Sequence, residues 1–446
     1  MNPSDTPALA GPAPLAAADE ASAAGAPDPR LALPLWRQRE FRLLWSAQLV
    51  STLGSHAVGI VVPLLILALT GSPAAVGLAS ALGVIPYLLL VLPVGALIDR
   101  WDRRRVMIAA NLGAALVALS VPLAILLDAL TLMQLYGVAM AHGTLGVFFN
   151  IAETAALPRV VAKPQLPQAV AQNQVGYASA AIAGPALGTW LYQSFGRALP
   201  FVVDALSYLA SAWAVWRLRT DFSPAPNPQP LHLRREVMVG LRWVWGERLV
   251  RDLAFLTGSS NFVQAALPLL LIVLAQAQGA SESQIGLIFS AAGVGGVLGG
   301  LAGPWVQRRF HFGHILFVTL LLEAVVVAGI WLAHWQDVRS PLLLGGAFGL
   351  AMFVAPIYNV VQFSHRLAMI PDGLQGRVNS AYRLVAHALQ PVGAALCGLL
   401  VEHWGLLPGL ALFVMVFFGV AAAARLDPAI WREGRLSRPA AATSPG

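Results

Sequence analysis

Lysine is almost missing from this 446-residue chain: of 28 basic residues, 27 are arginine and the other is Lys163. A phosphate-cradling loop needs Gly-Lys-Ser/Thr, but Lys163 stands between Ala162 and Pro164, so no such ATP site exists. No second lysine offers a Schiff base. The one cysteine, Cys397, excludes an internal disulfide and any cysteine-built zinc cluster. Charge itself is scarce, at 11% of residues against about 25% in a soluble domain. A water-facing surface for 47.1 kDa cannot be built from so few charges, which excludes a soluble enzyme. No metal-ligand cluster or nucleophile–base spacing is evident, so neither enzymatic activity, metal nor cofactor is expected.

What is abundant is apolar: 57% of residues, with a mean hydropathy of +0.69. A membrane-spanning helix takes about 20 such residues. The runs place spans 1 to 6 at 43–69, 74–98, 106–127, 132–157, 167–194 and 199–217. Spans 7 to 12 fall at 253–275, 284–305, 314–334, 340–364, 377–402 and 407–425. The expected fold is an all-α membrane protein with 12 transmembrane helices.

Arginine placement tests that count. With a cytoplasmic N-terminus, 25 basic residues fall inside and two, Arg197 and Arg339, outside; Arg383 lies within span 11. Positive residues concentrate on the cytoplasmic side of membrane proteins, and a wrong span count would scramble the bias. Both termini are therefore expected in the cytoplasm. The formal charge of +7 follows from this distribution and does not call for nucleic acid.

The expected organisation is a disordered cytoplasmic tail (1–35), a six-span bundle (36–217), a cytoplasmic linker (218–252), a second six-span bundle (253–425) and a cytoplasmic tail (426–446). Alternating prolines at 224, 226, 228 and 230 mark the linker. After them, Val237, Met238, Leu241, Val244, Trp245 and Leu249 share one helical face, with Arg235, Arg242 and Arg251 towards the other. Such a stretch is expected to lie in the plane of the anionic inner leaflet.

The halves echo each other at an offset of 205–206 residues. Pro63-Leu64-Leu65 matches Pro268-Leu269-Leu270, Arg103 and Arg104 match Arg308 and Arg309, and Asn173 matches Asn379. Six spans is an even number, so both halves cross the membrane in the same sense. Parallel repeats of this kind place a cavity between the halves and allow them to rock about it.

Between spans 2 and 3 stands Gly95-Ala-Leu-Ile-Asp99-Arg100-Trp-Asp102-Arg103-Arg104-Arg105. It resembles the loop 2–3 signature of the major facilitator superfamily, with Asp102 in place of that family's second glycine. The resemblance implies that Asp99 meets the N-terminus of helix 11, where the helix dipole favours a carboxylate, and holds the cytoplasmic side shut. The arginines would supply pairs between the halves. Gly184, Pro185 and Gly188 in span 5 are similar to the antiporter motif of the superfamily's exporters; a packing kink explains them equally well. Three further stretches resemble the branch holding the enterobactin exporter and macrolide efflux proteins: Ala155–Val160 with Gln172-Asn173, Asp204–Leu209, and Gly376–Ser380 with Pro391 and Gly393.

Ionisable and polar groups inside the bilayer are site candidates by default. Span 1 offers Gln48, Ser55 and His56; span 4, Asn150 and Glu153; span 7, Asn261 and Gln264; span 10, Tyr358, Asn359 and Gln362; span 11, Arg383 and His387. His56 either titrates or bridges helices as a neutral ring. Glu153 either couples protons or pairs with Arg159. Arg383 either binds an anionic group or snorkels to the surface. Asp204 has a structural role in this reading, and Glu323 is expected to turn inwards or to be protonated.

The resemblance implies a secondary active exporter of small amphipathic molecules, of drug, macrolide or siderophore type, working by proton antiport and alternating access. Its partners would be that substrate, protons and membrane lipids, in the cell membrane and as a monomer. An importer of a metabolite or lysolipid, or a non-transporting sensor, are the alternatives.

Overall fold

The computed structural model describes residues 33–223, 233–371 and 374–432. The prolines of the linker and most of both tails lie outside the described residues. The first half contains α1 (Arg39–Thr70), α2 (Pro73–Ile98), α3 (Arg103–Leu126), α4 (Leu132–Val160), α5 (Leu166–Phe195) and α6 (Leu199–Trp216). After α7 (Leu233–Gly246) come α8 (Arg248–Ala277), α9 (Glu282–Arg309), α10 (Phe312–Trp335) and α11 (Pro341–Met369). α12 (Gln375–His387), α13 (Gln390–Trp404), α14 (Leu406–Leu426) and the short α15 (Pro428–Arg432) complete the chain. Twelve membrane crossings result, six in each half, and both described ends lie at the same end of the bundle. We call that end the terminal side.

Local signals set the boundaries. Ser72, Thr131 and Ser340 each cap a helix, accepting from the backbone N–H three residues on. Ser281 and Gln284 form a reciprocal capping box at α9. Asp102, the residue that departs from the superfamily signature, accepts from the N–H groups of Arg104 and Arg105 at 2.9 and 3.3 Å. Its carboxylate therefore starts α3. Gly71 ends α1 at φ +63°, a conformation that costs glycine little, so α1 and α2 form a tight hairpin.

Eleven of the crossings are long and apolar enough to span a membrane on their own; α5 is the exception. Its first turns carry Gln168, Gln172, Asn173 and Gln174, and it packs between α1 and α9 of the other half. Span 11 is not one helix. It breaks at Ala388-Leu389, ahead of Pro391, because proline has no N–H to give the preceding turn and its ring crowds that turn's carbonyl. Around the belt, Leu342 is 88% exposed and Leu126 79%. Water would not tolerate that density of apolar surface, whereas lipid does.

Three of the expected boundaries fall within packed segments. At the end of the tail expected over 1–35, the Leu33 carbonyl accepts from Gln38 at 2.9 Å, and Leu35 is fully buried. The linker begins packed, since Leu218 and Phe222 are buried against the first half, and its last residues, from Arg248, already belong to α8. Beyond Leu426 the chain turns back as α15 and buries Ile430, rather than leaving directly as a tail. Nor does α7 simply float in the membrane plane. Gly240 sits against the Arg377 carbonyl and Ala381 of α12, and Val244 is fully buried, while Met238 and Trp245 stay exposed. Leu249 and Arg251 lie in α8.

Candidate functional site

The two ends of the bundle differ. On the far side, away from the termini, the halves touch backbone to backbone. Gly77 of α2 meets Ala394 and Gly398 of α13, and Gly286 and Gly293 of α9 meet Pro185 and Ala181 of α5. Side chains cross as well. Glu402 of the second half accepts from Ala74 N at 3.0 Å and from the Ser72 hydroxyl, so it caps α2 of the first. Gln193 of the first half accepts from Ser283 N at 3.1 Å, at the start of α9 of the second. Each half thus satisfies orphan N–H groups of the other.

On the terminal side the halves stand apart. A cavity of about 260 Å³ separates α2 from α12, with Tyr87, Gly95 and Asp99 on one wall and Ser380, Arg383 and Leu384 on the other. Asp99 is exposed and makes no hydrogen bond or ion pair among the described residues. It faces the body of α12 rather than its N-terminus at Gln375, so the latch expected of it is unmade in this conformation. Arg100 is exposed. The neighbouring arginines do not bridge the halves either. Arg103 donates to the carbonyls of Phe222 and Ser223 at 3.4 and 3.0 Å, and Arg104 donates to that of Trp216. Glu40 accepts from Arg219 N and Thr220 N at 2.8 and 3.2 Å. Together these contacts hold the chain leaving α6 against its own half. The adjoining carboxyl of Asp221, outside the membrane, is held below its ordinary range by hydrogen bonds from Ser223.

Within the first half, the sequence candidates converge. Gln48, Ser55 and His56 of α1 and Asn150 of α4 line one polar cavity of about 190 Å³. His142, Tyr177 and Tyr208 join them there, none of which the sequence reading had placed in the site. The His56 ring stands edge-on to Tyr177 at 5.1 Å. Glu153 is buried nearby on α4 and accepts from the amide of Asn173 on α5 at 3.0 Å. The neighbour expected to pair with it, Arg159, instead donates to the carbonyls of Asp221 and Ser223 at 3.3 and 2.8 Å. Gly184 and Gly188 let α5 lie directly on His56 and Ala57 of α1, so close helix packing accounts for them. Pro185 offers its carbonyl to Thr189 at 2.9 Å.

The second half does not mirror this arrangement. Tyr358 and Gln362 are buried, both on the Thr257 hydroxyl, at 2.9 and 3.2 Å. Gln362 also donates to Tyr382. Asn261 donates to the Ala386 carbonyl at 2.8 Å. Gln264 donates at 3.1 Å to Ser260, which reaches the carboxylate of Glu323 at 3.4 Å. Glu323 has turned inwards, as expected. Only Asn359 of the span 10 trio is exposed. His387 meets Tyr87 of the first half edge-on at 6.2 Å and Gln390 at 3.2 Å.

Sequence reasoning missed Arg366, counted as a surface charge beyond span 10. α11 runs on to Met369, which draws this guanidinium inside. It lies 3.4 Å from the Tyr382 ring centroid and donates to Asn379 Oδ1 at 3.2 Å. Its Nε and Nη1 have no hydrogen-bond partner among the described residues.

A twelve-helix pair of parallel repeats, shut at one end and parted at the other, is the architecture of a major facilitator transporter. The chain belongs to the transmembrane secretion effector family of that superfamily, whose model it matches over residues 31–430. It is 26% identical over 373 residues to the multidrug efflux pump Tap of Mycolicibacterium fortuitum, covering 82% of this chain and 90% of that one. It is 24% identical over 361 residues to the enterobactin exporter EntS of Salmonella typhimurium, covering 80% and 84%. Among solved structures, the fold follows a bacterial homologue of the human lysosomal transporter Spinster with a TM-score of 0.69 at 13% identity, over 91% of this chain and 100% of that one. A bacterial homologue of the iron transporter ferroportin follows at 0.65 and 16%, over 87% and 100%.

Proposed function

We propose that this protein is a secondary active exporter of small amphipathic molecules, driven by proton antiport in a bacterial cell membrane. The observation that carries the reading is the contrast between its ends: reciprocal caps and glycine contacts close the far side, while Asp99 and Arg383 face each other across an open cavity. The arginine bias makes the terminal side cytoplasmic, so the conformation is open inwards, ready to load from the cytoplasm. The names of its relatives, a multidrug efflux pump and a siderophore exporter, agree with outward transport.

The two bundles, 36–217 and 253–425, rock about a substrate held by the polar cavity of the first half, with Gln48, Ser55, His56 and Asn150 in contact. Glu153, buried and accepting from the Asn173 amide among the described residues, carries the coupled proton. Closure of the cytoplasmic side brings Asp99 onto α12, beside Arg383. One chain supplies the whole path, so the working unit is the monomer, with lipid covering its apolar belt.

The test is cellular accumulation of a panel of dyes, macrolides and siderophores with and without the protein, before and after an uncoupler. Accumulation that falls with the protein and recovers with the uncoupler supports proton-driven export. Accumulation that rises makes the protein an importer, and no change across the panel removes the reading for these classes.

A further inference from the structure

One buried acid of the first half lies outside the Glu153 site. Asp204 of α6 is fully buried; the neighbouring Ser207 hydroxyl donates to its backbone carbonyl at 2.7 Å, and its Oδ2 lies 3.5 Å from His142 Nε2. A Cβ on Gly54 would overlap Asp204 Oδ1, so the backbone of α1 closes directly over it. α3 turns Ala114, Ala115 and Ala118 towards this part of α6, and its polar residue, Asn111, is engaged with Ser211 at 2.9 Å. The titratable groups facing Asp204 are therefore His142 from α4, whose Nε2 is 3.5 Å from Oδ2, and Tyr208 from its own helix.

A lone carboxylate charge in such a place is costly, and a buried acid escapes the cost by holding a proton or facing a cation. Asp204 thus either carries a proton or meets a protonated His142, and both arrangements keep one proton on the pair. That proton has a route out. His142 Nε2 is 3.1 Å from the Tyr208 hydroxyl, which is 2.7 Å from the Ser55 hydroxyl. Ser55, His142 and Tyr208 all line the polar cavity.

We propose that Asp204 and His142 form a second proton-binding site of the transport cycle, joined to the polar cavity through Tyr208 and Ser55. The proposal rests on the proton-antiport reading above and adds a site to Glu153. On release, the proton on His142 Nε2 passes to Tyr208 Oη and the Tyr208 hydroxyl proton passes to Ser55 Oγ. The Ser55 proton passes to water in the cavity. Each oxygen gains one proton and gives one up, and the pair is left as carboxylate and neutral imidazole. Uptake reverses these steps.

Infrared titration of the purified full-length protein reads the site without any substrate. The wild type is expected to show a protonated-carboxyl band that disappears as pH rises. Asp204→Asn should remove one component of that band while Glu153→Gln leaves the component in place. His142→Gln should move its midpoint by about one pH unit or more, tenfold in proton affinity. Tyr208→Phe should keep the midpoint but slow ethidium export driven by an imposed pH gradient about tenfold. Should Asp204→Asn fail to fold, His142→Gln and Tyr208→Phe carry the test. A difference spectrum between wild type and Asp204→Asn in which neither a protonated-carboxyl band nor a carboxylate band of Asp204 changes across the titration would overturn the proposal. A titrating component in a protein that exports no probe under any proton gradient would keep the site and sink the antiport reading instead.

Discussion

Two asparagines at repeat-related positions, Asn173 and Asn379, each hold a buried ionisable side chain, an acid in one half and a base in the other. In the first half Asn173 donates its amide to Glu153; in the second, Asn379 accepts from Arg366 through its oxygen. The amide suits both tasks because it carries a donor and two acceptor lone pairs. The two halves thus share the helix pair and its linking asparagine, while the group held differs in both chemistry and position along its helix. The same divergence separates the polar clusters. The first half opens its polar side chains into a cavity, and the second spends most of its own on internal bonds between α8, α11 and α12. Polar side chains that line a cavity are concentrated in the first half, whereas most of those in the second are bonded to one another.

The largest test of this contrast is one substitution made twice. Asn173→Asp replaces the amide that donates to Glu153 with a second acid and is expected to cost about 1–3 kcal/mol, the scale of a buried acceptor left without its donor. Asn379→Asp gives Arg366 a counter-ion and should be neutral or stabilising by about 1 kcal/mol. Thermal unfolding of the detergent-solubilised protein checks both. Shifts of the same sign would remove the idea that one half holds an acid and the other a base.

A smaller effect sharpens the comparison between the two ends. Glu402→Ala removes a cap that crosses from one half to the other, about 1 kcal/mol by the usual value of such caps. The expected result is easier opening of the far side, read as faster labelling of the Ala394→Cys variant, whose site is buried against Gly77, in a Cys397→Ala background. Labelling as slow as with Glu402 present would make that contact incidental. Smallest is the cap within one half. Asp102→Ala should cost about 1 kcal/mol, whereas Asp102→Gly, the superfamily's own residue, should cost only a few tenths. Melting temperatures order the two, and the reverse order would dismiss the capping role of that carboxylate.

The helices were legible because apolar length and capping residues are written locally. Each span was placed to within a few residues, except where α8 begins five residues early and α11 runs five residues long. The break in span 11 was foreshadowed by Pro391 but not read. The site was legible only in part. Gln48, Ser55 and His56 sit on one face of one helix, and helical spacing reveals that. The Asp204–His142 contact joins residues 62 apart on two helices, and no periodicity encodes which helices meet. Arg366 was misplaced for a different reason: counting basic residues by side cannot separate an arginine at the surface from one drawn over a tyrosine ring.

The polarity of α5 bears on how the protein is made. Eleven crossings are long and apolar enough to span a membrane by length and composition, whereas α5 is more polar and depends more on its neighbours. One of them, α1, is already in the membrane when α5 emerges; the other, α9, has yet to be synthesised. During that interval the glycine-lined contact with α1 has to hold α5 in place alone. A bulky side chain at Gly184 or Gly188 would therefore be felt first as a defect in biogenesis, with less protein reaching the membrane, before any effect on the turnover of finished molecules.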